Sequence, residues 1–545
     1  MGVPSDIERV LKVPRRQGKC PDFTPYLKTS HGTMNLRSIQ NEMLWQASQA
    51  GGLLGLVGVG EGKTLASFLF GRVLKAEKPL LLIPPNLRTQ AQADWVEYGK
   101  HFSLPQQLEL RSYEEISTKP GLLRSLNPDL IICDEAHKLK NPSSTRTRRL
   151  KKFLSWRVNS GLPPSKFIAI SGSITSTSIK DFWHLALWAL GPNTPLPMKW
   201  NYMNEWALSL DKGQLGKKKR NLGLMMPLMQ HFGTRSPRDA FRENLLSCRG
   251  VVISIQGQPP CTLHIKRYSR ALPKTIEGAL KRVNETWQTP DGEELDSALA
   301  LSRLRRQLVC GFYYYWDWPG NPDTLWLEAR SNWAKACRTF CARAPEGLDT
   351  PALLENAMIR FLKKDLDIKF PKQLVEIYIQ WLGQKSKPLP PVGVRWIDQY
   401  FLKDIISWAN RQKDPPLIWY EHTALGYALH KVTGWPLYGT GEDADSRLVA
   451  VDKAHLGIAS IRAHSQGKNL QAWGNHLVAH PLSDAGRWEQ LLGRSHRTGQ
   501  KRSDVQVIVP NYSEFSSALS SAVEGARYIQ QSTGLEQRLL SAKSV

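Results

Sequence analysis

Short apolar runs alternate with helical stretches in the first part of the chain. Four of these runs are "GLLGLVGVG" (52–60), "PLLLIP" (79–84), "DLIICDE" (129–135) and "KFIAISGS" (166–173). The stretches 64–77 and 86–102 that separate them have the amphipathic pattern of helices. Runs of this length and composition are typical of buried parallel strands. Strands that alternate with helices predict a doubly wound sheet with right-handed crossovers.

The same pattern returns near the end of the chain. Its apolar runs are "PLIWYEH" (416–422), "LGIASIRA" (456–463), "NHLVAH" (475–480) and "DVQVIVP" (504–510). Between the two regions, from about 191 to 391, the chain is rich in Trp, Arg and Lys and is broken by prolines. The pattern therefore predicts an α/β protein with two parallel-sheet lobes and a helical insertion between them.

Composition adds a partner class to this picture. A chain of 545 residues is too long for one core. Its 73 Lys and Arg against 48 Asp and Glu give a net charge of +25. Such an excess favours a polyanionic partner, nucleic acid first and an anionic membrane surface second. The basic run 211–220 is of a kind that more often forms a solvated turn, although a run facing nucleic acid would supply phosphate contacts.

The cysteines and the N-terminus indicate the compartment. Seven cysteines are scattered, and the close pair "CRTFC" has no second pair nearby, which argues against a zinc site. The N-terminus lacks a signal-peptide core, and no apolar run reaches membrane-spanning length. We therefore expect reduced thiols and an intracellular, cytoplasmic location.

A glycine-rich loop follows the first apolar run and opens a helix. In "GVGEGKT" (58–64), Gly60 and Gly62 permit backbone N–H groups to wrap phosphates. Lys63 would reach the β- and γ-phosphates, and the Thr64 hydroxyl would hold Mg²⁺. The sequence therefore predicts a nucleotide-phosphate loop.

This loop departs from the strict pattern at one position. Position 57 is Val where G-x4-G-K-[ST] requires Gly. The alternative is a tight strand-to-helix turn with an exposed lysine. The strand before the loop and the helix after it favour the phosphate loop.

Two carboxylates follow the third apolar run, in "CDEAHKLKNPSS" (133–144). They would lie at the carboxyl end of a buried strand, where α/β sheets bind ligands. Asp134 would then hold Mg²⁺ through water, and Glu135 would polarise the attacking water. The alternative is a charged loop that closes a strand. A phosphate loop at a normal spacing upstream favours the catalytic interpretation.

The stretch "QLLGRSHRTGQ" (490–500) carries two arginines with a spacing of three. This spacing predicts that Arg494 and Arg497 lie on one face of a helix. A forked, permanently charged guanidinium suits a γ-phosphate whose charge spreads in the transition state. The alternative is a basic, solvated helix end.

"DEAHKLKNPSS" resembles the second motif of the Swi/Snf-type double-stranded DNA translocases, within helicase superfamily two. The match extends past DEAH into the tail Lys-x-Lys-Asn-Pro-x-Ser. Further stretches resemble the other motifs of this family in the family order, and they are 35–44, 80–95, 170–185, 416–430, 463–490 and 490–500. The resemblance covers roughly residues 30–190 and 400–515.

The resemblance implies roles for particular residues. It implies that Gln40 contacts adenine and that Gln490 belongs to the nucleotide site. The implied coupling residues are Ser171, Gly172, Ser173, Gly467 and Asn469. The implied DNA contacts are Asn86 and Lys468. The whole implied nucleotide-binding set is Gln40, Gly60, Glu61, Gly62, Lys63, Thr64 and Gln490.

Several positions differ from the family pattern, among them His464 and Ser465, which replace the glycine-rich lead-in of the fifth motif. Ile174 replaces the proline of Thr-Gly-Thr-Pro, although hydroxyls are kept at 171 and 173. Gln471 replaces the threonine of the fifth motif. Both motifs serve coupling in the family, so coupling is the function that these departures affect most.

Together these features predict two RecA-like lobes that bind ATP and Mg²⁺ between them. The expected segments are an extension 1–29, lobe one 30–195, a helical insertion 196–392, lobe two 393–525 and a tail 526–545. The expected activity is ATP-driven translocation on double-stranded DNA in replication, recombination or repair. The alternatives are a strand-separating DNA helicase and a nucleic-acid-binding scaffold without ATPase activity.

Overall fold

A computed structural model describes most of the chain. The described residues are 3–175, 177–211, 223–254, 259, 261–293, 295, 298–366, 368–388, 390–439, 448, 451, 453–465 and 468–544. Gly467 and nearly all of the basic run 211–220 lie outside this set. The described part is an α/β protein with two parallel sheets, as predicted.

The first sheet is parallel at every described pairing and has the order β3-β2-β4-β5-β1-β6. Its strands are β1 Leu53–Leu56, β2 Pro79–Ile83, β3 Glu109–Ser112, β4 Leu130–Asp134, β5 Lys166–Ser171 and β6 Val251–Ile253. The four apolar runs of the first region correspond to β1, β2, β4 and β5. Because these strands are covered on both faces, nearly all of their residues are buried.

The remaining strands are β7 Thr262–Tyr268, β8 Phe312–Trp316, β9 Val392–Trp396, β10 Leu417–Tyr420, β11 Leu437–Tyr438, β12 Gly457–Ser460, β13 Asn475–Val478, β14 Asp504–Pro510 and β15 Lys543–Ser544. Strands β8 and β9 pair antiparallel in a separate two-stranded sheet, which we call the β8–β9 hairpin although residues 317–391 separate its strands. The others form a second parallel sheet of order β11-β12-β10-β13-β14-β7-β15. The four apolar runs of the second region correspond to β10, β12, β13 and β14.

Helices precede, separate and follow the strands of the first sheet. They are α1 Ser5–Leu11, α2 Thr24–Leu27, α3 Ser38–Ala50, α4 Lys63–Val73, α5 Arg88–Gly99, α6 Tyr113–Thr118, α7 Leu122–Leu126, α8 Thr145–Asn159, α9 Lys180–Leu190, α10 Trp200–Leu210, α11 Met226–His231 and α12 Pro237–Ser247. Short 3₁₀ turns occupy 85–87, 136–139 and 191–193. The amphipathic stretches 64–77 and 86–102 correspond to α4 and α5.

The rest of the chain also alternates between helices and strands. Its helices are α13 Lys274–Thr286, α14 Ala298–Val309, α15 Thr324–Cys341, α16 Pro351–Leu362, α17 Lys372–Lys385, α18 Tyr400–Asn410, α19 Thr423–Thr433, α20 Ile461–His464, α21 Ala485–Leu492, α22 Ser513–Thr533 and α23 Arg538–Ser541. None of the helices in the described ranges is long and apolar enough to cross a membrane. All seven cysteines are free thiols.

The segment 196–392 supplies more than helices. Its strand β6 pairs with β1 in the first sheet, and its strand β7 pairs with β14 in the second. The first sheet therefore extends to Ile253, and the second begins at Thr262. Sequence patterning missed both strands, because β6 has three residues and β7 alternates between buried and more exposed positions.

Helices α15, α16 and α17 have a small core of their own. It includes Trp333, Cys337, Leu354, Met358 and Tyr378. The chain of this unit leaves from and returns to the β8–β9 hairpin. We call residues 324–385 the helical unit.

The helical unit is tied to α8 of the first lobe by a buried ion pair. The Arg149 guanidinium donates to the Asp349 carboxylate at 2.7 and 3.0 Å, and each side chain is 1% exposed. A third donor of Arg149 reaches the Ile116 carbonyl at 2.8 Å. These hydrogen bonds and the opposite charges offset the free-energy cost of burying both side chains.

Removal of one partner of this pair should destabilise the protein strongly. Asp349→Ala leaves the Arg149 charge buried without a counter-charge, which costs about 3–5 kcal/mol of unfolding free energy. Denaturant unfolding followed by tryptophan fluorescence measures the change. The matched control is Glu376→Ala, because Glu376 forms only an exposed pair with Lys372. Equal losses in the two variants would contradict the interpretation.

A buried histidine makes the second lobe sensitive to acid. His476 on β13 accepts a hydrogen bond from Trp419 Nε1 at 3.2 Å, and burial lowers the pKa of His476 to about 4. The unfolded chain takes up this proton near pH 6.5, so stability is lost as the pH falls from about 6.5 towards 4. This histidine alone should cost about 2 kcal/mol between about pH 7 and pH 5.

The unfolding free energy measured over this pH range tests the expectation. His476→Asn keeps a hydrogen-bond acceptor for Trp419 but has no proton to gain. The variant should therefore lose less stability than the wild type as the pH falls. An identical pH dependence in the two proteins would exclude His476 as the cause.

Candidate active site

A cavity of about 360 Å³ lies between the two lobes. It opens at the carboxyl ends of the strands of the first sheet. The first lobe contributes the side chains and backbone of Gly60, Gly62, Lys63, Thr64, Asp134 and Glu135. The second lobe contributes Leu448, Lys468, Asn469, Arg494 and Arg497. Residues as far apart in the sequence as Gly60 and Arg497 therefore meet in one cleft.

The glycine-rich loop joins β1 to α4 in a conformation that requires glycine. Gly60 and Gly62 have φ angles of 93° and 76°, and Gly62 precedes the first turn of α4. The ammonium of Lys63 donates to the carbonyls of Val57 and Gly58 at 3.2 and 3.4 Å. Lys63 therefore points into the loop, at the positive end of a helix.

Gln40 supports this loop from behind. Its Nε2 donates to the Gly62 carbonyl at 2.9 Å, and its Oε1 accepts from the Arg37 N–H at 2.8 Å. Gln40 is 4% exposed and is absent from the cavity lining described above, whereas Arg37 lines the cavity. The structure thus gives Gln40 a role in holding the loop. The adenine contact implied by the family resemblance stays a prediction.

The acidic pair ends β4 inside the cleft. Burial and the neighbouring Glu135 charge raise the pKa of Asp134 to about 6. Burial alone would also raise the pKa of Glu135, but Lys63, His137 and Arg494 hold it well below its usual range. The Lys63 ammonium lies 3.8 Å from the Glu135 carboxylate. Glu135 is therefore a carboxylate at neutral pH.

The backbone at Glu135 is strained. This residue has a φ of 56°, which a residue with a Cβ adopts at a cost. The conformation turns the chain directly after β4, and the Glu135 N–H donates to Asp134 Oδ1 at 3.0 Å. This left-handed backbone conformation at Glu135 places both carboxylates at the same cavity.

The turn after β5 contacts the acidic pair through a histidine. His137 Nδ1 lies 3.1 Å from Glu135 Oε2, 3.0 Å from Ser171 Oγ and 3.4 Å from Ser173 Oγ. Ser173 also contacts the second lobe at Gly486. A Cβ placed on Gly486 would lie 2.8 Å from the Cβ of Ser173. The hydroxyls at 171 and 173 therefore connect Glu135 to the facing lobe.

Gly172 lies against the glycine-rich loop. A Cβ at this position would lie 3.1 Å from the Val57 carbonyl and 3.4 Å from the Gly58 Cα. A larger residue would push the loop away from β5. The three predicted coupling residues of this turn thus contact the loop, the acidic pair and the second lobe.

The predicted helical placement of the two arginines is wrong. Helix α21 ends at Leu492, and Arg494 and Arg497 lie in the turns that follow. The chain leaves the helix where Gly493 packs against the loop, since a Cβ there would lie 3.0 Å from the Val59 side chain. Contact between the lobes therefore sets the end of α21. The spacing of the two arginines in the sequence does not take this contact into account.

Arg494 is held rigidly by its own lobe. Its guanidinium donates to Gln490 Oε1 at 2.6 Å and to the Ser465 and Lys468 carbonyls at 3.1 and 3.2 Å. Burial lowers the pKa of Arg494 to about 10, so it still carries its charge at neutral pH. The Gln490 amide faces both Glu135 carboxylate oxygens at 3.4 Å. This is a direct contact between the Glu135 carboxylate and the second lobe.

Arg497 lies over the glycine-rich loop. A Cβ at Gly60 would lie 3.5 Å from its guanidinium, and one of its amino groups donates to Asn469 Oδ1. Its Nε is buried without a hydrogen-bond partner among the described residues. An unsatisfied cationic donor beside a phosphate-type loop is suited to an anionic ligand.

The remaining predicted residues lie around the cleft. Glu61 faces a neighbouring cavity of about 730 Å³ that Arg37 also lines. Asn86 is exposed in the turn after β2. Lys468 lines the cleft itself, although the resemblance implies a DNA contact. The predicted coupling residue Gly467 lies outside the described residues.

Sequence reasoning missed one wall of the cleft. Gln90, Asp94 and Tyr98 line it from α5, and Arg37 lines it from the N-terminus of α3. The spacing of four between successive α5 residues puts them on one helix face, which is the one signal available in the sequence. Their meeting with the loop is a tertiary contact.

The donor set fits a nucleotide-bound magnesium ion. Asp134 and Thr64 offer a carboxylate and a hydroxyl to the same cavity. Mg²⁺ is usually held by one or two carboxylates together with substrate phosphates. Among the described residues, no cluster of three or more His, Cys, Asp or Glu could hold a metal without such a substrate.

Comparison of the chain with models of known protein families and with curated proteins found no match. The contacts within the cleft are therefore the basis for the functional assignment.

Substitution of Gly62 should disable the loop. In Gly62→Ala a Cβ would lie 2.3 Å from Gln40 Nε2, at a φ that disfavours alanine. We expect affinity for a fluorescent ATP analogue to fall by at least about tenfold. Gly161→Ala is the matched control, because Gly161 has a φ of 71° but open space around it.

The control separates the loop from backbone strain in general. Gly161→Ala pays about 1–2 kcal/mol for a left-handed alanine and should bind the analogue as the wild type does. Equal affinity in the two variants would show that the loop does not bind the nucleotide.

Proposed function

We propose that this protein is an ATP-dependent DNA motor with two RecA-like lobes, which hydrolyses ATP and moves along double-stranded DNA. One observation carries the proposal. A lysine in a glycine-rich loop, two strand-end carboxylates and two arginines from the opposite lobe line a single cavity. Phosphoryl transfer to water depends on these groups at this kind of spacing.

The residues of the cleft account for the hydrolytic step. The Lys63 ammonium, already beside Glu135, can turn to the β- and γ-phosphates, and the loop N–H groups bind their oxygens. Glu135 is ionised and orients the attacking water. Mg²⁺, held by Asp134 and Thr64, would supply charge neutralisation on the β- and γ-oxygens.

The second lobe completes the site only when the cleft is closed. Arg494 and Arg497 would stabilise the charge that spreads over the transferred phosphoryl group. The contacts of Gln490 with Glu135 and of Gly486 with Ser173 cross the same cleft. A change in charge at Glu135 or in the γ-phosphate position would therefore shift the balance between closed and open lobes.

The proposal that DNA is the substrate rests on the net charge of the protein and on its resemblance to the Swi/Snf-type translocases. A net charge of +25 favours contact with a phosphate backbone that is independent of base sequence. The motif tail after Asp134 and Glu135 resembles that of the Swi/Snf-type translocases. Both features support duplex DNA as the track.

The second candidate is a strand-separating helicase, and the β8–β9 hairpin favours it. The hairpin carries Tyr315, whose ring lies 4.7 Å from the Arg395 guanidinium, and an exposed Val392 at its end. Aromatic and arginine side chains together suit stacking against unpaired bases. A forked, labelled duplex tests this alternative directly.

ATP hydrolysis by the purified protein tests the proposal. We expect turnover without DNA to be slow and blunt duplex DNA to stimulate it more than single strands. Lys63→Ala should lower kcat by at least about 100-fold, because the phosphates lose their main cationic partner. Lys78→Ala, an exposed lysine of the same lobe, is the control and should keep wild-type turnover.

Each outcome selects one function. Stimulation by duplex without strand displacement supports the translocase. Stimulation by single strands together with displacement supports the helicase. DNA binding without any hydrolysis, and with Lys63→Ala indistinguishable from wild type, would replace both with the scaffold.

A further inference from the structure

The end of the chain returns to the nucleotide cleft. Helix α22 ends at Thr533, the following Gly534 has a φ of 79°, and the short helix α23 begins at Arg538. Arg538 is 5% exposed although only seven residues follow it in the sequence. The expected tail 526–545 is therefore helical up to 533 and then packs against the interface of the two lobes.

Arg538 joins three segments through its hydrogen bonds. Its backbone N–H donates to Glu489 at 2.9 Å, and its guanidinium forms a buried ion pair with the same carboxylate. Its Nε donates to the His496 carbonyl at 3.1 Å. Its second amino group donates to the Val59 carbonyl at 3.2 Å.

Two of these acceptors lie next to residues that line the cleft. Val59 directly precedes Gly60 in the glycine-rich loop. His496 lies between Arg494 and Arg497 and is buried. One guanidinium thus fixes the backbone of the phosphate loop relative to the backbone that carries both arginines. Arg538 itself is not among the residues that line the cleft, so any effect on hydrolysis passes through these backbones.

The C-terminal segment is anchored to both lobes. Tyr528 on α22 donates to Asp211 Oδ1 at 3.1 Å, and Arg238 donates to Gln531 Oε1 at 2.7 Å, both towards the first lobe. Strand β15 pairs with β7 of the second sheet. Both lobes therefore hold the segment that carries Arg538. The position of Arg538 relative to each lobe changes if the lobes move apart.

We propose that residues 534–544 support the catalytic cleft from outside its lining, and that Arg538 is a positioning residue that holds Arg494 and Arg497 against the phosphate loop. This inference rests on the proposed function of that cleft. Hydrolysis then requires a docked C-terminus in addition to the two lobes. Opening of the lobes breaks the Val59 contact and retracts both arginines from the γ-phosphate together.

The position of Arg538 predicts which kinetic constant changes. The phosphates are bound by the loop N–H groups and Lys63, so nucleotide affinity depends little on Arg538. Arg494 and Arg497 act on the transition state, so a shift in their backbone lowers kcat. A purely structural arginine would instead lower stability, affinity and kcat together.

The experiment compares Arg538→Gln, Arg538→Lys and Arg527→Gln in the full-length protein. Arg527 is an exposed arginine on α22 and provides the same substitution away from the cleft. We expect Arg538→Gln to lower kcat on the order of 10- to 100-fold, with nucleotide affinity within about threefold of wild type. Arg538→Lys keeps the charge opposite Glu489 and should recover part of the loss.

A second readout needs no hydrolysis. Hydrogen exchange measured by mass spectrometry should become faster at 57–62 and at 493–499 in Arg538→Gln, and not in Arg527→Gln. This result would support the contact even if the wild type hydrolysed no ATP, which would refute the proposed function alone. Unchanged exchange in both segments would overturn the inference, as would turnover within about twofold of wild type in an active enzyme.

Loss of affinity and kcat by the same factor, with a lowered unfolding midpoint, would also overturn the positioning role. In that case Arg538 serves the stability of the interface only. Recovery of kcat by lysine without recovery of the unfolding midpoint would separate the two roles in favour of positioning.

Discussion

The buried charge of Glu135 is the constraint on which the arrangement of the two lobes depends. A carboxylate in a closed cleft is costly unless opposite charges and donors surround it. Lys63 and His137 provide these from its own lobe, and Gln490 and Arg494 provide them from the other. Neither lobe satisfies this group completely. The cleft is therefore a shared electrostatic structure, and a change in charge at Glu135 acts on both of its walls.

Close backbone approach is the second requirement of the cleft. Gly62 brings the loop against Gln40, Gly172 brings β5 against the loop, and Gly493 and Gly486 bring the second lobe against Val59 and Ser173. Each approach lies at or below the distance at which a Cβ fits. Side-chain hydroxyls and amides can then bridge the lobes directly. This explains why small residues recur at the cleft and why its geometry tolerates little substitution.

Two segments outside the parallel sheets limit how the lobes can move. The helical unit leaves the chain at the β8–β9 hairpin but is fastened to α8 of the first lobe through Arg149 and Asp349. The C-terminal segment follows the second lobe but reaches the phosphate loop through Arg538. Lobe movement must therefore break, bend or carry these connections. Through these two connections, a change in the cleft would reach parts of the chain that do not line it.

Apolar runs are a local property, so the sequence predicted strands β1, β2, β4, β5, β10, β12, β13 and β14. The chemistry assigned to the loop, the acidic pair and the arginines stays a prediction from motif spacing. The sequence alone did not show where α21 ends or that Gln40 binds the Gly62 carbonyl. It also did not show that Tyr98 of α5 lines the cleft, or that β6 and β7 join the two sheets. Those features depend on contacts between residues far apart in the chain. Arg538 is the clearest case, since only the folded interface brings a residue near the C-terminus to the carbonyl of Val59.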